Sequence, residues 1–438
     1  MKVRKIARVL VEAAVPLAVG SGEGNIMTDA SVAVDFNGMP YIPGTAVAGV
    51  IRNALAGHVY LDAFFGQVNG TVVEGSRLVV SDAKIVDFHG NVVDGMVVPD
   101  AALQSLYSDC PVRHHTSIDG RGVARNRGKF DNQVVYRGTR FCFDLEGLIE
   151  SDDDMVMFDA VLQVVNKGLR VGAGTRNGYG RIETVSMWTI DYDLDSKEGI
   201  DGYLNHSARL CIDKSALKEW KLYENDTDGL ADGVISMTLV PEDFIFFGSG
   251  FGNENADAVQ LTERYVSWDG ARGKVEIGIV IPGTAVKGAF AHRFEYWYNA
   301  LDKGNGAQAR KVLFGSVDDK TQSVGLIYFD DVIAEIPHRK VFNHVKIDRF
   351  TGGAFPGALY NEEAVYAAGW RFTFSIRIDE EALKKRCDII IDDIIIDYDK
   401  VKHAVGLVIS DIGNGLLPLG GLTNRGHGCF TMLQEDRI

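Results

Sequence analysis

The 438 residues predict an α+β fold made of two copies of one small domain in tandem. Two observations carry this: short blocks recur in the same order in both halves, and the apolar patterning around them runs strand, helix, strand, strand, helix, strand. Gly20–Asn25 (GSGEGN) returns as Gly248–Asn253 (GSGFGN), and Ile42–Val47 (IPGTAV) returns unchanged as Ile281–Val286. His115–Asp119 (HTSID) returns as His344–Asp348 (HVKID), and Val171–Gly180 (VGAGTRNGYG) as Leu419–Gly428 (LGGLTNRGHG). Shorter echoes lie between them: Phe65-Gly66 with Phe314-Gly315, and Ser81-Asp82-Ala83 with Asp330-Asp331-Val332. A single Gly-rich match arises by chance, whereas a set in register marks a duplication.

Each unit opens on an apolar strand, Ile6–Val19 and Gly233–Phe247, that runs into a Gly-rich turn. After an extended segment, the Pro-Gly of IPGTAV starts a helix, Ala46–Leu55 in the first unit and Ala285–Tyr298 in the second. Alternating patterns at Arg77–Asp82, Thr139–Leu145 and Trp370–Ile378 predict strands. A second helix, Met155–Lys167 and then Asp399–Ser410, precedes the closing Gly-rich loop. This β-α-β-β-α-β order is that of a ferredoxin-like, RRM-like domain. The expected division is a first domain at 1–186, a polar, acidic connector at 187–232, and a second domain at 233–438.

Composition narrows the class. With 46% hydrophobic residues the chain can bury a sizeable core. It has no apolar run long enough to span a bilayer, and its N-terminus alternates charged with apolar residues, so no membrane partner is expected. Five scattered cysteines with no C-x-x-C pair exclude a disulfide framework and a structural zinc site, and fit a cytoplasmic protein. A net charge of −15 argues against phosphate binding, but the acid is concentrated at Ser151–Asp154, Asp191–Glu198 and Asp392–Asp399. Between Arg113 and Arg140 the balance reverses, with Arg113, Arg121, Arg125, Arg127, Lys129, Arg137 and Arg140 against Asp119 and Asp131.

The first Gly-rich turn invites a dinucleotide-binding reading. That reading fails because IMTDASVAVD, which follows GSGEGN, has no helix start to receive a pyrophosphate. The closing loops place glycine N–H groups beside Arg176, Asn177 and Tyr179, and beside Asn424, Arg425 and His427. Such groups contact phosphates and stack on bases, which points to RNA. His115 and His344 read as hydrogen-bonded structure.

The IPGTxxxG block before a helix, His344-Val345-Lys346-Ile347-Asp348-Arg349-Phe350-Thr351-Gly352 with its looser counterpart at His115–Gly122, and the closing Gly-rich loop resemble the RAMP superfamily. Within it, they resemble the backbone, target-RNA-cleaving subunits of type III CRISPR effector complexes, here as a tandem fusion. The resemblance implies that each domain grips a guide RNA and drives a thumb hairpin through the guide–target duplex, displacing a base. The thumbs would be Asp119–Val134 and Asp348–Ala364, with Phe350, Phe355 and Leu359 as wedges and Arg349 as a backbone contact. It further implies a phosphate-binding lysine after IPGTAV, which Lys287 supplies, while Ala48 leaves the first unit to Arg52, Arg121, Arg125 and Arg127.

The same resemblance implies cleavage by an aspartate between the first strand and IPG. Asp29 matches in the first unit and Asp257 in the second, with Glu263 and Asp35 as fallbacks. A carboxylate there would orient the ribose 2′-hydroxyl of a displaced nucleotide or hold a divalent cation, Mg²⁺ or Mn²⁺. About eleven extra residues precede the second IPG, so the Asp257 match is the looser. The implied partners are guide RNA, complementary target RNA, and other type III subunits, including the large polymerase-cyclase subunit and further backbone subunits. A non-catalytic RNA-binding scaffold of the same kind is the alternative. A guide-processing RAMP endonuclease fits less well, because such enzymes normally lack the thumb block.

Overall fold

The computed structural model describes residues 2–22, 28–69, 72–118, 124–224, 233–316, 323–335, 338–388 and 394–433. In the first unit, strands β1 (Val3–Ala13), β2 (Leu78–Val80), β5 (Arg140–Ile149) and β6 (Arg181–Asp193) form an antiparallel sheet in the order β6-β1-β5-β2. Between β2 and β5, strands β3 (Val112–Ile118) and β4 (Ala124–Gln133) project as a separate hairpin. The second unit repeats the plan. Its strands β7 (Val234–Pro241), β10 (Ile327–Phe329), β13 (Phe372–Ile378) and β14 (Phe430–Met432) pair in the order β14-β7-β13-β10, and β11 (His338–Ile347) with β12 (Ala354–Tyr366) makes its hairpin. Both sheets have the ferredoxin-like order, so the fold class is α+β with two such domains in tandem.

Two separate cores follow from period-2 strands facing period-3.6 helices. In the first, Ala7, Val9 and Val11 of β1 meet Val47 and Ile51 of helix α1 (Gly44–Ala54) and Phe158, Val161 and Val165 of α2 (Asp152–Asn166). In the second, Met237 and Leu239 meet Phe290 and Phe294 of α4 (Gly283–Leu301) and Val401, Val405 and Val408 of α5 (Tyr398–Gly413). The back face of the first sheet is also covered: Leu10 and Cys142 pack with Leu210, and Arg8, paired with Asp144 at 2.7 Å, lies over Trp220. The connector is therefore a lid, with helix α3 (Lys197–Leu204) running along β6. Its start differs from the expectation, because β6 pairs with β1 as far as Val3↔Asp193, and the acidic tail of that strand belongs to the first domain.

The extra residues before the second IPG form a hairpin arm, β8 (Thr262–Asp269) with β9 (Arg272–Ile281), that reaches back onto the first unit. Val266 at its centre is 3% exposed and completes the first unit's core.

Candidate functional site

The IPGT turns are built alike. Proline caps each helix without a side-chain bond, and a distant aspartate takes over: Gly44 N–H donates to Asp82 Oδ1 at 2.9 Å, and Gly283 N–H to Asp331 Oδ1 at 2.7 Å. A carboxylate at a helix N-terminus is favoured by both the orphan N–H groups and the dipole. Glycine is required because an added Cβ would lie 2.2 Å from the Val80 carbonyl oxygen in one unit and 2.7 Å from that of Phe329 in the other. The Ser81-Asp82 and Asp330-Asp331 echo therefore has a structural cause.

Each candidate aspartate sits at the root of its hairpin and exchanges two hydrogen bonds with the return strand. Asp29 N–H donates to Asp131 Oδ1 (2.8 Å) while Asp131 N–H donates to Asp29 Oδ2 (3.1 Å). Asp257 N–H donates to Asn361 Oδ1 (2.8 Å) while Asn361 N–H donates to Asp257 Oδ2 (2.9 Å). The matching geometry makes Asp29 and Asp257 equivalent positions, both exposed. One residue along, His115 stacks on Phe130 and His344 on Tyr360, at 4.9 and 5.1 Å between ring centres. The His115 ring shares a 3.0 Å hydrogen bond with the buried Tyr179 hydroxyl, and burial, with Arg113 nearby, lowers its pKa. His344 lies 3.1 Å from buried Glu362, which also pairs with Arg425 at 2.8 Å.

The fallback acids have other tasks. Asp35 Oδ1 accepts from Asn37 N–H and Met39 N–H and closes a tight turn. Glu263 is buried against Arg113 at 2.5 Å, and Asp331 lies 3.3 Å from the same guanidinium. Two acids hold this arginine charged, above its ordinary pKa, although burial works against it. A carboxylate sealed in such a triad does not reach a sugar.

The first closing loop departs most from the expectation. Arg176 donates to the Gly325 carbonyl and lies over Tyr328 at 5.0 Å, and Asn177 Oδ1 accepts from Lys287 at 2.9 Å. Burial and the neighbouring Arg176 push the Lys287 ammonium down to about 8. Arg170 and Arg181 both pair with Asp330, at 2.8 and 3.0 Å. Arg176, Asn177 and Lys287, read from sequence as RNA contacts, thus join one unit to the other, because a loop of glycines lets two backbones approach closely. Tyr179 and His427 are both buried, 2% and 7% exposed, at the hairpin roots. Arg425 is held by Glu362 and Tyr360, and Arg52 by Asp62 and the Gly66 carbonyl.

The exposed residues are at the hairpins. Phe350 is 99% exposed at the second tip, where Asp348 accepts from the Phe350 and Thr351 N–H groups and fixes the turn. Leu359 and Phe355 flank it on the same hairpin, and Arg349 is exposed beside it. Arg127 is exposed on β4, and Asn424 is exposed in the second loop. Arg121, the Arg125 side chain and part of GSGEGN lie outside the described residues.

Between the first hairpin and the second unit runs a groove of about 510 Å³, lined by Thr116, Gly248, Gly288, His292, Arg310 and Gly420 among others. Sequence reasoning missed it, along with Asp131, Asn361 and the arm. Aligning the two return strands on Phe130 and Tyr360 would have exposed the Asp131/Asn361 position. Among the described residues no group of three or more His, Cys, Asp or Glu side chains is placed to hold a metal ion. The pair Asp29 and Asp131 nevertheless offers the hard oxygen donors that Mg²⁺ or Mn²⁺ takes. No described helix is long and apolar enough to cross a membrane.

No curated protein matches the sequence. The family model described as "RAMPs: RAMP superfamily" matches residues 11–183 and again 269–431, one stretch per unit and together most of the chain. With a ferredoxin-like sheet, a projecting hairpin and a closing Gly-rich loop in each unit, the chain belongs to the RAMP superfamily, as a tandem pair with the general CRISPR-associated RNA-binding role of that superfamily.

Proposed function

We propose that the chain is a backbone subunit of a type III CRISPR ribonucleoprotein, holding guide RNA and cleaving complementary target RNA at two places. The observation that carries this reading is the repeated aspartate at the root of two outward hairpins, one of which ends in a fully exposed Phe350. An apolar wedge entering a hybrid duplex unstacks a base, and the nucleotide left beside it loses its A-form sugar geometry. Its 2′-hydroxyl is then free to align in line with the adjacent phosphate, and that orientation lowers the barrier to attack. Asp29 or Asp257, held by its bond to the return strand, accepts or orients that hydroxyl proton while the 2′-oxygen bonds to phosphorus, giving a 2′,3′-cyclic phosphate, and the next nucleotide's 5′-oxygen leaves and takes a proton from water. A divalent cation, if bound, would rest on Asp29 with Asp131, or on Asp257, and would neutralise phosphate charge. The groove with His292 and Arg310 suits a backbone that must pass between the first hairpin and the second unit.

One observation favours a second reading, a non-catalytic scaffold with the same grip. In both units the aspartate already spends one carboxylate oxygen pinning the hairpin. Replacing Asp29 and Asp257 with Ala, singly and together, in the assembled particle separates the two. An enzyme loses one set of cuts per substitution, by at least about 100-fold, while target binding persists. Undiminished cutting in the double variant overturns the catalytic assignment.

A further inference from the structure

The two units carry the same corner between hairpin and sheet, but only one corner is filled. Register fixes the correspondence: Val11↔Phe141 in the first sheet matches Leu239↔Phe372 in the second, so Gly138 and Arg140 correspond to Gly369 and Arg371. Both glycines have φ of +81°. At Gly138 the arm of the second unit is seated so closely that an added Cβ would lie 1.8 Å from the Val266 carbonyl oxygen. The Trp268 indole N–H donates to the Gly138 carbonyl at 2.6 Å, Arg140 stacks over Trp268 at 4.1 Å, and Arg140 donates to the Gly270 carbonyl at 2.8 Å. At Gly369 there is open space, and Arg371 is exposed with no hydrogen bond or ion pair among the described residues.

A second copy of this chain has nothing to put there. The arm grows from the place that Asp35–Met39 occupies in the first unit: Ala33 N–H donates to Val19 as Leu261 does to Phe247, and Tyr41 to Ala33 as Val280 does to Leu261. Where the second unit extends into the arm, the first makes a tight turn closed by Asp35. The arginines that grip the second unit are likewise missing from its own trailing face. Register and loop alignment put Phe342 at the position of Arg113, Pro418 at Arg170, Asn424 at Arg176 and Cys429 at Arg181. Contact between copies would lack both the arm and the ion pairs that join the units within the chain.

We infer that the Gly369–Arg371 corner is a docking seat for a β-hairpin arm of a like-folded subunit on a different polypeptide, one with an aromatic ring for Arg371 and a strand carbonyl over Gly369. The seat concerns assembly and does not depend on RNA cleavage. Three measurements test it. Sedimentation of the purified full-length chain is expected to show a monomer, and an oligomer that Gly369→Val dissolves would overturn the proposal, because a second copy would then hold the seat. Grafting residues 264–277 in place of Phe36–Gly38 gives the chain a leading arm, and this variant is expected to assemble head to tail. Arg371→Ala or Gly369→Val on the grafted chain should weaken that assembly at least about tenfold. A graft that folds by circular dichroism yet stays monomeric overturns the proposal. Should the graft not fold, benzoylphenylalanine at position 371 in the particle assembled with its other subunits decides: a crosslink to a hairpin of another polypeptide is expected, and a crosslink to a second copy, to RNA or to nothing sinks the idea.

Discussion

At the first hairpin root Asp29 faces a second carboxylate, Asp131, whereas at the second root Asp257 faces the neutral amide of Asn361. The backbone exchange is the same in both, so the hydrogen bonds that hold the hairpin survive a change that removes a charge. Beside them, His115 leans on a tyrosine hydroxyl in one unit, while His344 leans on a buried glutamate in the other. Duplication has kept the geometry that folding needs and let the electrostatics of the two roots diverge. The first root offers paired carboxylates, and the second a single carboxylate next to a Glu–His–Arg cluster.

The largest expected effect comes from moving a residue of the second hairpin into the first. Arg113→Phe, which installs the Phe342 counterpart, leaves Glu263 and Asp331 buried without a cation and should cost about 3–5 kcal/mol, read by chemical denaturation of the full chain. Exchanging the roots comes next. Asp131→Asn is expected to slow cutting at the first site by about 10–100-fold while Asp257-dependent cuts continue, and Asn361→Asp should raise the metal dependence of the second. Equal behaviour of the two sites in those variants would show that the second carboxylate is idle. Glycines at the two corners should respond unequally. Gly369→Ala should cost about 1–2 kcal/mol for its left-handed backbone, and Gly138→Ala more, since it must also displace the arm.

A smaller effect is pH-dependent. Burial raises the Asp331 pKa from 3.8 to about 7 against the pull of Arg113. The folded-state value exceeds the unfolded one, so the stability this group contributes is complete below pH 3.8 and is lost as the pH rises through about 7. Asp82, its counterpart in the first unit, is exposed. Asp331→Asn should flatten the pH dependence of thermal unfolding between these limits, and an unchanged slope would assign it elsewhere. Smallest is the expected stability change for Phe350→Ala, within about 0.5 kcal/mol, because the ring touches solvent; its loss should appear in target cleavage instead.

Much of the fold was legible because it is encoded locally. IPGT needs glycine against a neighbouring carbonyl, the Asp82 and Asp331 echoes cap those helices, and alternating strands declare their buried face. The hairpins and Asp29 were found from a resemblance and the Asp257 match from an internal count, while the bonds that tie both to the return strand span more than a hundred residues and leave no periodic trace. The first closing loop misled for a physical reason. Glycine with Arg and Asn suits close approach to a phosphate backbone and equally to a protein backbone, and Arg176, Asn177 and Lys287 meet the latter. The tail of β6 reads as solvated connector because Asp191 and Asp193 are exposed, although their backbones pair with Lys5 and Val3 of β1.

Val266 belongs by sequence to the second unit and by packing to the first. During synthesis, therefore, the leading unit leaves the ribosome with a gap in its interior that closes only after the arm, through Ile281, has emerged. A chain cut in the connector would carry that gap permanently, so the first unit owes part of its interior to a residue that the second supplies.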